Sequence, residues 1–144
     1  MRIAVFSDTH DHYPPSLPDT FREADELWHL GDVCAPETLA EFEQLALPMC
    51  VVRGNCDAHE AWPQVLELER EGVRFYLTHI PPREAPPGCA AVLHGHTHVP
   101  RDEVVGGVRW LNPGCITRSR GGCPSFAWLT VDRGKLTSWE LVRL

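Results

Sequence analysis

The chain has 144 residues, carries a formal net charge of −7, and is 43% hydrophobic and 23% charged. That is the length of one domain and an ordinary globular composition, which excludes collagen-like, disordered and membrane-spanning classes. The acidic balance argues against general binding to nucleic-acid backbones, although a local metal cluster can invert the field of an acidic protein toward a small anion.

No apolar run approaches the roughly 20 residues of a membrane span. Residues 3–6 are apolar but give way at once to Ser7 and Asp8, too short a stretch for a signal peptide. The chain therefore reads as mature from Met1 and cytoplasmic. Cys34, Cys50, Cys56, Cys89, Cys115 and Cys123 form no C-x-x-C pair, so zinc-ribbon and redox readings lack their spacing. Reduced, mostly buried thiols are expected.

In chain order, residues 1–6 read as a strand running into Ser7-Asp8-Thr9-His10. Residues 11–18 read as a loop, because Pro14, Pro15 and Pro18 interrupt regular structure. A short helix is expected over 19–24 and a second strand over 26–30, ending in Gly31-Asp32. Pro36 suits a helix start, with Leu39, Phe42, Leu45 and Ala46 at helical spacing and Pro48 as the stop. Residues 49–52 form a third strand, followed by Arg53-Gly54-Asn55. Strand–helix–strand–helix–strand is the pattern of a parallel sheet flanked by helices.

The second half changes character. Residues 65–69 and 73–78 read as a hairpin about Glu71-Gly72, 81–88 as a proline-rich loop, and 90–93 as a buried strand ending at His94. Strands are then expected over 103–105, 108–111, 126–131 and 136–142, with turns at Gly106-Gly107 and at 132–135. Phe126 and Trp128 alternate with Ala127, Leu129 and Val131, so that hairpin is apolar on both faces. This means either burial between a sheet and helices or a dimer surface. With no repeat and no linker, residues 1–144 are expected to form a single domain.

The polar residues concentrate where these strands end. Ligand crevices in open α/β sheets lie outside the carboxyl ends of the strands. Asp8, His10, Asp32, Asn55, His79, His96 and His98 would all arrive there. Asp8 and His10 are two residues apart, as are His96 and His98, and in an extended segment such pairs share a face. Seven ligands of mixed oxygen and nitrogen type exceed what one ion needs; two ions sharing a carboxylate bridge would use them. His29 is read as a packed histidine, His59 as a surface residue, and His12 and His94 as pocket wall or support.

Ser7-Asp8-Thr9-His10, Gly31-Asp32, Gly54-Asn55-Cys56-Asp57, Thr78-His79, Gly95-His96-Thr97-His98 and Asn112-Pro113-Gly114 together resemble the ordered motifs of the calcineurin-like metallophosphoesterases. The closest resemblance is to the small single-domain prokaryotic phosphodiesterases. It implies a mixed α/β fold, a two-sheet β-sandwich flanked by helices in four layers. It implies that Asp8, His10 and His98 hold one ion, that Asn55, His79 and His96 hold a second, and that Asp32 bridges them. It also implies Asp32, Asn55 and His96 as catalytic residues. Arg53, beside the Asn motif, is read either as a contact for the substrate's anion or as a surface salt-bridge residue, and Arg118 and Arg120, after the Asn-Pro-Gly turn, as weaker candidates. The chain departs from the common pattern at Cys56, where many members have His, at Ile80, where Gly is usual, and at Cys115, where Ser is common.

The implied activity is hydrolysis of phosphodiester bonds by a hydroxide bridging two divalent ions. Oxygen and imidazole donors suit Mn²⁺ foremost, then Zn²⁺, Fe²⁺ or Ni²⁺, and thiolate-rich binding is not indicated. The alternatives are a phosphomonoesterase or nucleotide polyphosphate hydrolase, and a non-catalytic scaffold that kept the fold. The expected partner is a small phosphate ester, with no membrane, no general nucleic-acid binding, and a possible homo-oligomer.

Overall fold

The computed structural model describes residues 1–117 and 122–144, so Arg118 and Arg120 lie outside the described residues. The described strands, in chain order, are β1 (Arg2–Phe6), β2 (Glu26–His29), β3 (Met49–Val51), β4 (Val65–Arg70), β5 (Val73–Thr78), β6 (Ala91–Leu93), β7 (Arg101–Val105), β8 (Val108–Asn112), β9 (Ser125–Asp132) and β10 (Lys135–Arg143). They form two five-stranded sheets, ordered β10-β9-β1-β2-β3 and β4-β5-β6-β8-β7. In the first sheet β1, β2 and β3 are parallel, and β9 runs antiparallel to β1. In the second, β5, β6 and β8 are parallel, while β4 and β7 close the edges antiparallel. This is the expected two-sheet architecture, and each expected strand is present to within two residues at either end.

The alternation along β1 sets the layers. Ile3 and Val5 enter the core between the sheets with Trp28, Phe75, Leu77 and Leu129. Ala4 and Phe6 face the other way, into a core under the helices with Phe21, Phe42, Phe126 and Trp128. Both faces of β9 are thereby buried within the chain, which accounts for its two-sided apolar sequence without a dimer surface.

The helices are shorter than their periodicity suggests. α1 (Leu17–Thr20) begins inside the expected loop and tightens into a 3₁₀ turn at Phe21–Glu23. Pro18 sits in its first turn, where a missing N–H costs nothing. A 3₁₀ turn at Pro36–Leu39 precedes α2 (Ala40–Glu43), which stops well before Pro48. Among the described residues no helix follows Glu43, so the expected four-layer arrangement has its helical layer on one side only. On the other side β4 simply alternates, exposing Val65, Glu67 and Glu69 and half-burying Leu66, Leu68 and Arg70.

One ion pair ties the two sheets together. The Glu26 carboxylate on β2, 2% exposed, accepts hydrogen bonds from Arg70 on β4 at 2.7 and 2.8 Å. Burial alone would push the Glu26 carboxyl up, but Arg70 holds it below its ordinary value. Removing the guanidinium strands a buried charge, which ordinarily costs several kcal/mol. We expect Arg70→Ala to lose about 3 kcal/mol at pH 7, the low end of that range, because the Arg70 side chain is 30% exposed. A carboxyl with a lowered folded pKa contributes stability above its unfolded pKa and loses it as pH falls through the folded one. The gap between wild type and variant should therefore narrow in acid, which urea unfolding at pH 7 and pH 4 will measure.

Candidate metal centre

The parallel ladder of the first sheet continues past its strands. Leu30 N–H donates to the Phe6 carbonyl at 2.9 Å, Asp8 N–H to Gly31 at 3.0 Å, His10 N–H to Asp32 at 3.0 Å and Asp11 N–H to Val33 at 3.0 Å. The loops after β1 and β2 thus run side by side and bring Asp8, His10 and Asp32 together. Within these loops and the one after β6 the backbone is left-handed at Asp8 (φ 56°), His10 (44°), Asp32 (57°), His96 (68°) and His98 (61°). This corrects the extended geometry expected for the two i, i+2 pairs. β1 has ended at Phe6 and β6 at Leu93, and the pairs converge through left-handed turns. The glycines before Asn55 and His96 are required by close approach. A Cβ at Gly54 would collide with the Asp32 carboxylate, and one at Gly95 with the Ser7 hydroxyl.

Asp8 is fully buried, and Asp32 and His79 are nearly so. Asp8 Oδ1 lies 3.0 Å from His98 Nε2, 3.7 Å from His10 Nε2 and 3.9 Å from His79 Nε2. Asp32 Oδ2 lies 3.2 Å from His79 Nε2 and 3.7 Å from His10 Nε2. Three overlapping sets, Asp8-His10-His98, Asp8-Asp32-His79 and His10-Asp32-Cys56, each place one donor atom per residue within 4.8 Å of the others. Asn55 and His96 are exposed at the rim, with Asn55 Oδ1 3.0 Å from His96 Nδ1.

Supporting contacts orient these donors. Asp8 Oδ2 accepts hydrogen bonds from the Ser7 hydroxyl at 2.6 Å and the His96 N–H at 3.2 Å, which leaves Oδ1 facing the cluster. His79 Nδ1–H donates to the Leu30 carbonyl at 2.7 Å, so Nε2 presents its lone pair. Asp8 Oδ1, His10 Nε2 and His79 Nε2 are buried and make no hydrogen bond. Two carboxylates and several imidazole lone pairs converging on one space fit divalent cations.

The ionised state of Asp32 agrees with that chemistry. Burial works against ionised Asp32, but the His79 imidazole, the Cys56 N–H and His10 hold its carboxyl well below the usual carboxylate range. Burial also lowers His79, yet Asp32 and Asp8 outweigh it and raise the imidazole above its ordinary value.

The remaining singled-out residues are placed as follows. His29 is fully buried, pushed down to about 3 chiefly by burial. Its Nδ1 accepts the Gly31 N–H and its Nε2 meets the Thr9 hydroxyl, so it braces both loops from behind. His94 is buried, lowered to about 4 mainly by that burial, and is packed with Arg101 and Gly95. His59 and His12 are exposed. Arg53 is half-buried, and its side chain makes no ion pair or hydrogen bond with a described residue. Asn112 supports the His96–His98 loop, donating to the Gly95 carbonyl at 3.1 Å and to the Thr97 hydroxyl at 3.0 Å.

Residues 1–134 match the calcineurin-like phosphoesterase superfamily domain. A probable metallophosphoesterase of Methanothermobacter thermautotrophicus is 34% identical, over 99% of this chain and 92% of its own length. The phosphodiesterase YfcE of Escherichia coli K12 is 30% identical, over 87% of this chain and 84% of its own. In structure, Vps29 of Entamoeba histolytica, solved as a zinc complex, superposes with a TM-score of 0.80 at 22% identity, over 100% of this chain and 98% of that one. At that identity the likeness is one of fold.

Sequence reasoning quoted Asp57 but assigned it no task, and the structure gives it one. Its carboxylate accepts backbone N–H groups from Asp32 (2.9 Å), Cys34 (2.8 Å) and Gly54 (2.7 Å), so it stitches the loop after β2 to the loop after β3. The signal available in sequence was a carboxylate three residues past a glycine, the spacing at which a side chain reaches back to the N–H three residues earlier, as in a capping box. Hydrogen bonds to a charged group are worth about 1.5–3 kcal/mol each when removed. We expect Asp57→Ala to destabilise by about 3 kcal/mol in urea unfolding and to weaken divalent-ion binding measured by calorimetry.

Proposed function

This chain belongs to the calcineurin-like phosphoesterase superfamily, and from that premise we propose that it is a metal-dependent phosphodiesterase formed by a single domain over residues 1–144. The observation that carries the reading is the trio of unpartnered buried atoms, Asp8 Oδ1, His10 Nε2 and His79 Nε2. Each orphaned group costs about 1–3 kcal/mol, and cations would turn the same atoms into ligands. Asp8, His10 and His98 would hold one ion, and Asn55, His79 and His96 the other. Asp32 lies between them, Oδ2 directed to His79 and His10 while Oδ1 accepts the Cys56 N–H at 2.8 Å.

Divalent ions bound there would supply Lewis acidity toward the phosphoryl oxygens and lower the pKa of bound water enough to make it the nucleophile. The protein supplies the rest. Ser7, His79 and Asp57 keep the donors in place, so little reorganisation accompanies the reaction. Asn55 and His96, exposed at the rim, face the incoming ester and are the catalytic residues with Asp32. Arg53, two residues before Asn55 in the chain and free of ion pairs with described residues, would meet the substrate's anionic oxygen. Oxygen and imidazole donors accommodate Mn²⁺, Zn²⁺, Fe²⁺ or Ni²⁺, with Mn²⁺ our first choice. We read the compartment as cytoplasmic, on six cysteines that form no C-x-x-C pair.

The diester preference rests on access and donor count. The rim residues are open to solvent, and no described helix follows Glu43 to cover them. Substituents can then extend on both sides of phosphorus. A monoester enzyme would need further donors for a third terminal oxygen, and Arg53 alone adjoins a ligand motif. YfcE, named a phosphodiesterase, supports the same choice.

Two measurements test the proposal. With Mn²⁺ added, kcat/KM for bis(p-nitrophenyl) phosphate should exceed that for p-nitrophenyl phosphate at the same pH; the reverse order moves the assignment to phosphomonoesterase. Asp32→Asn should cut bound metal and lower kcat by about 100-fold or more while the protein still unfolds cooperatively. A variant that kept both ions and its activity would refute the bridging role.

A further inference from the structure

The residue standing where many family members have histidine is turned toward the metal centre by the structure. Cys56, His10 and Asp32 form a set of their own, with one donor atom from each within 4.8 Å of the other two. The loop that carries Cys56 is held from both ends. Its N–H donates to Asp32 Oδ1 at 2.8 Å, and Asp57, the next residue, is bound to the backbone of Asp32, Cys34 and Gly54. The sulfur takes a long approach from Asn55 Nδ2 at 3.7 Å and interacts with the Asp32 carboxylate. Within that set, His10 Nε2 is buried and has no hydrogen-bond partner. These atoms point into one space, and a ligand there would meet sulfur, nitrogen and carboxylate oxygen together.

We propose that the Cys56 thiol is a metal ligand, joining His10 and Asp32 on one ion and tilting that position toward thiophilic divalent ions such as Zn²⁺, Co²⁺ or Cd²⁺ over Mn²⁺. The inference rests on the metal-centre reading above and adds a ligand to it. On coordination the S–H bond breaks, the proton leaves to water, and the freed lone pair forms the sulfur–metal bond. Soft thiolate in an otherwise oxygen and nitrogen set is what discriminates among divalent ions of similar charge. Cys34 offers an internal contrast. Its sulfur lies 3.6 Å from His10 Nδ1, on the other nitrogen of that ring, and it belongs to none of the three donor sets. It orients the imidazole and does not ligate.

The test uses the full chain stripped of metal and titrated with Co²⁺ and, separately, Cd²⁺, followed by absorption and by calorimetry. A thiolate-to-metal charge-transfer band should grow to saturation, vanish in Cys56→Ala and persist in Cys34→Ala. In Cys56→Ala the preference for Cd²⁺ over Mn²⁺ should fall by about tenfold or more. Cys56 is exposed, so the variant is expected to keep its fold, and circular dichroism checks this. If calorimetry shows ions bound to the wild type without a charge-transfer band, or if the band survives in Cys56→Ala, the thiol is not a ligand and the metal centre stands without it. If no ion binds the wild type at all, the metal-centre reading falls and the proposal with it.

Discussion

At five of the seven candidate ligands the backbone is left-handed. Asp8, His10, Asp32, His96 and His98 all have φ between 44° and 68°, a region that costs an L-residue about 1–2 kcal/mol. An isolated loop would relax from such turns. Here it cannot, because the loops after β1 and β2 are joined by the continuing row of N–H to carbonyl bonds, and the side chain of Asp57 joins the loop after β3 to them. Side chains reinforce the same geometry. Gly95 packs against Ser7, and Ser7 in turn holds one oxygen of Asp8. The cluster's shape is therefore imposed by the sheet behind it, in the manner of strained residues at functional sites. Any ion or ester that binds meets a site already formed.

That rigidity is distributed unevenly. Asp8, Asp32 and His79 are buried against the ends of the strands, whereas Asn55 and His96 stand in solvent. Burial concentrates the electrostatic consequences on the inner residues. The Asp32 carboxylate is kept ionised chiefly by the His79 imidazole, and that imidazole is in turn charged more readily because of it. In the absence of cations each partly satisfies the other; cations would replace that mutual arrangement with a stronger one. The outer pair lacks such enforcement, so the two halves of the centre should differ in how tightly they hold an ion.

Much of this was legible in the sequence, for a physical reason. Short apolar runs ending in Gly-Asp, Gly-Asn or Gly-His mark both a buried strand and the place where its chain must turn, so the strand positions and the seven polar residues at their ends follow from local pattern, whereas the order of the strands within each sheet does not. The helices were less legible. Leu39, Phe42, Leu45 and Ala46 share a helical period, yet only Ala40–Glu43 is α-helical, because the segment starts as a 3₁₀ turn at Pro36. The missing helical cover on the second sheet could not be read, since Glu67 and Glu69 alternate with Leu66 and Leu68 whether or not a layer lies above them. Nor does any local rule reveal left-handed φ at Asp or His, or that Asp57 would bond three amides from two loops. Those depend on which loops lie side by side.

At −7 the chain as a whole repels phosphate esters. The cluster itself carries two carboxylates, Asp8 and Asp32, and neutral or partly charged imidazoles, so without cations it offers an anion little attraction. Divalent ions bound against the two carboxylates would make the same spot cationic. Metal binding thus decides whether an anionic substrate is attracted or repelled. The acidic remainder confines that attraction to the rim around Asn55 and His96, because beyond roughly 10 Å salt screens it. A long polyanion would meet net repulsion outside that radius, whereas a small ester fits wholly within it. Charge distribution and an open rim therefore favour the same class of ligand, a compact ester with room on either side of its phosphorus.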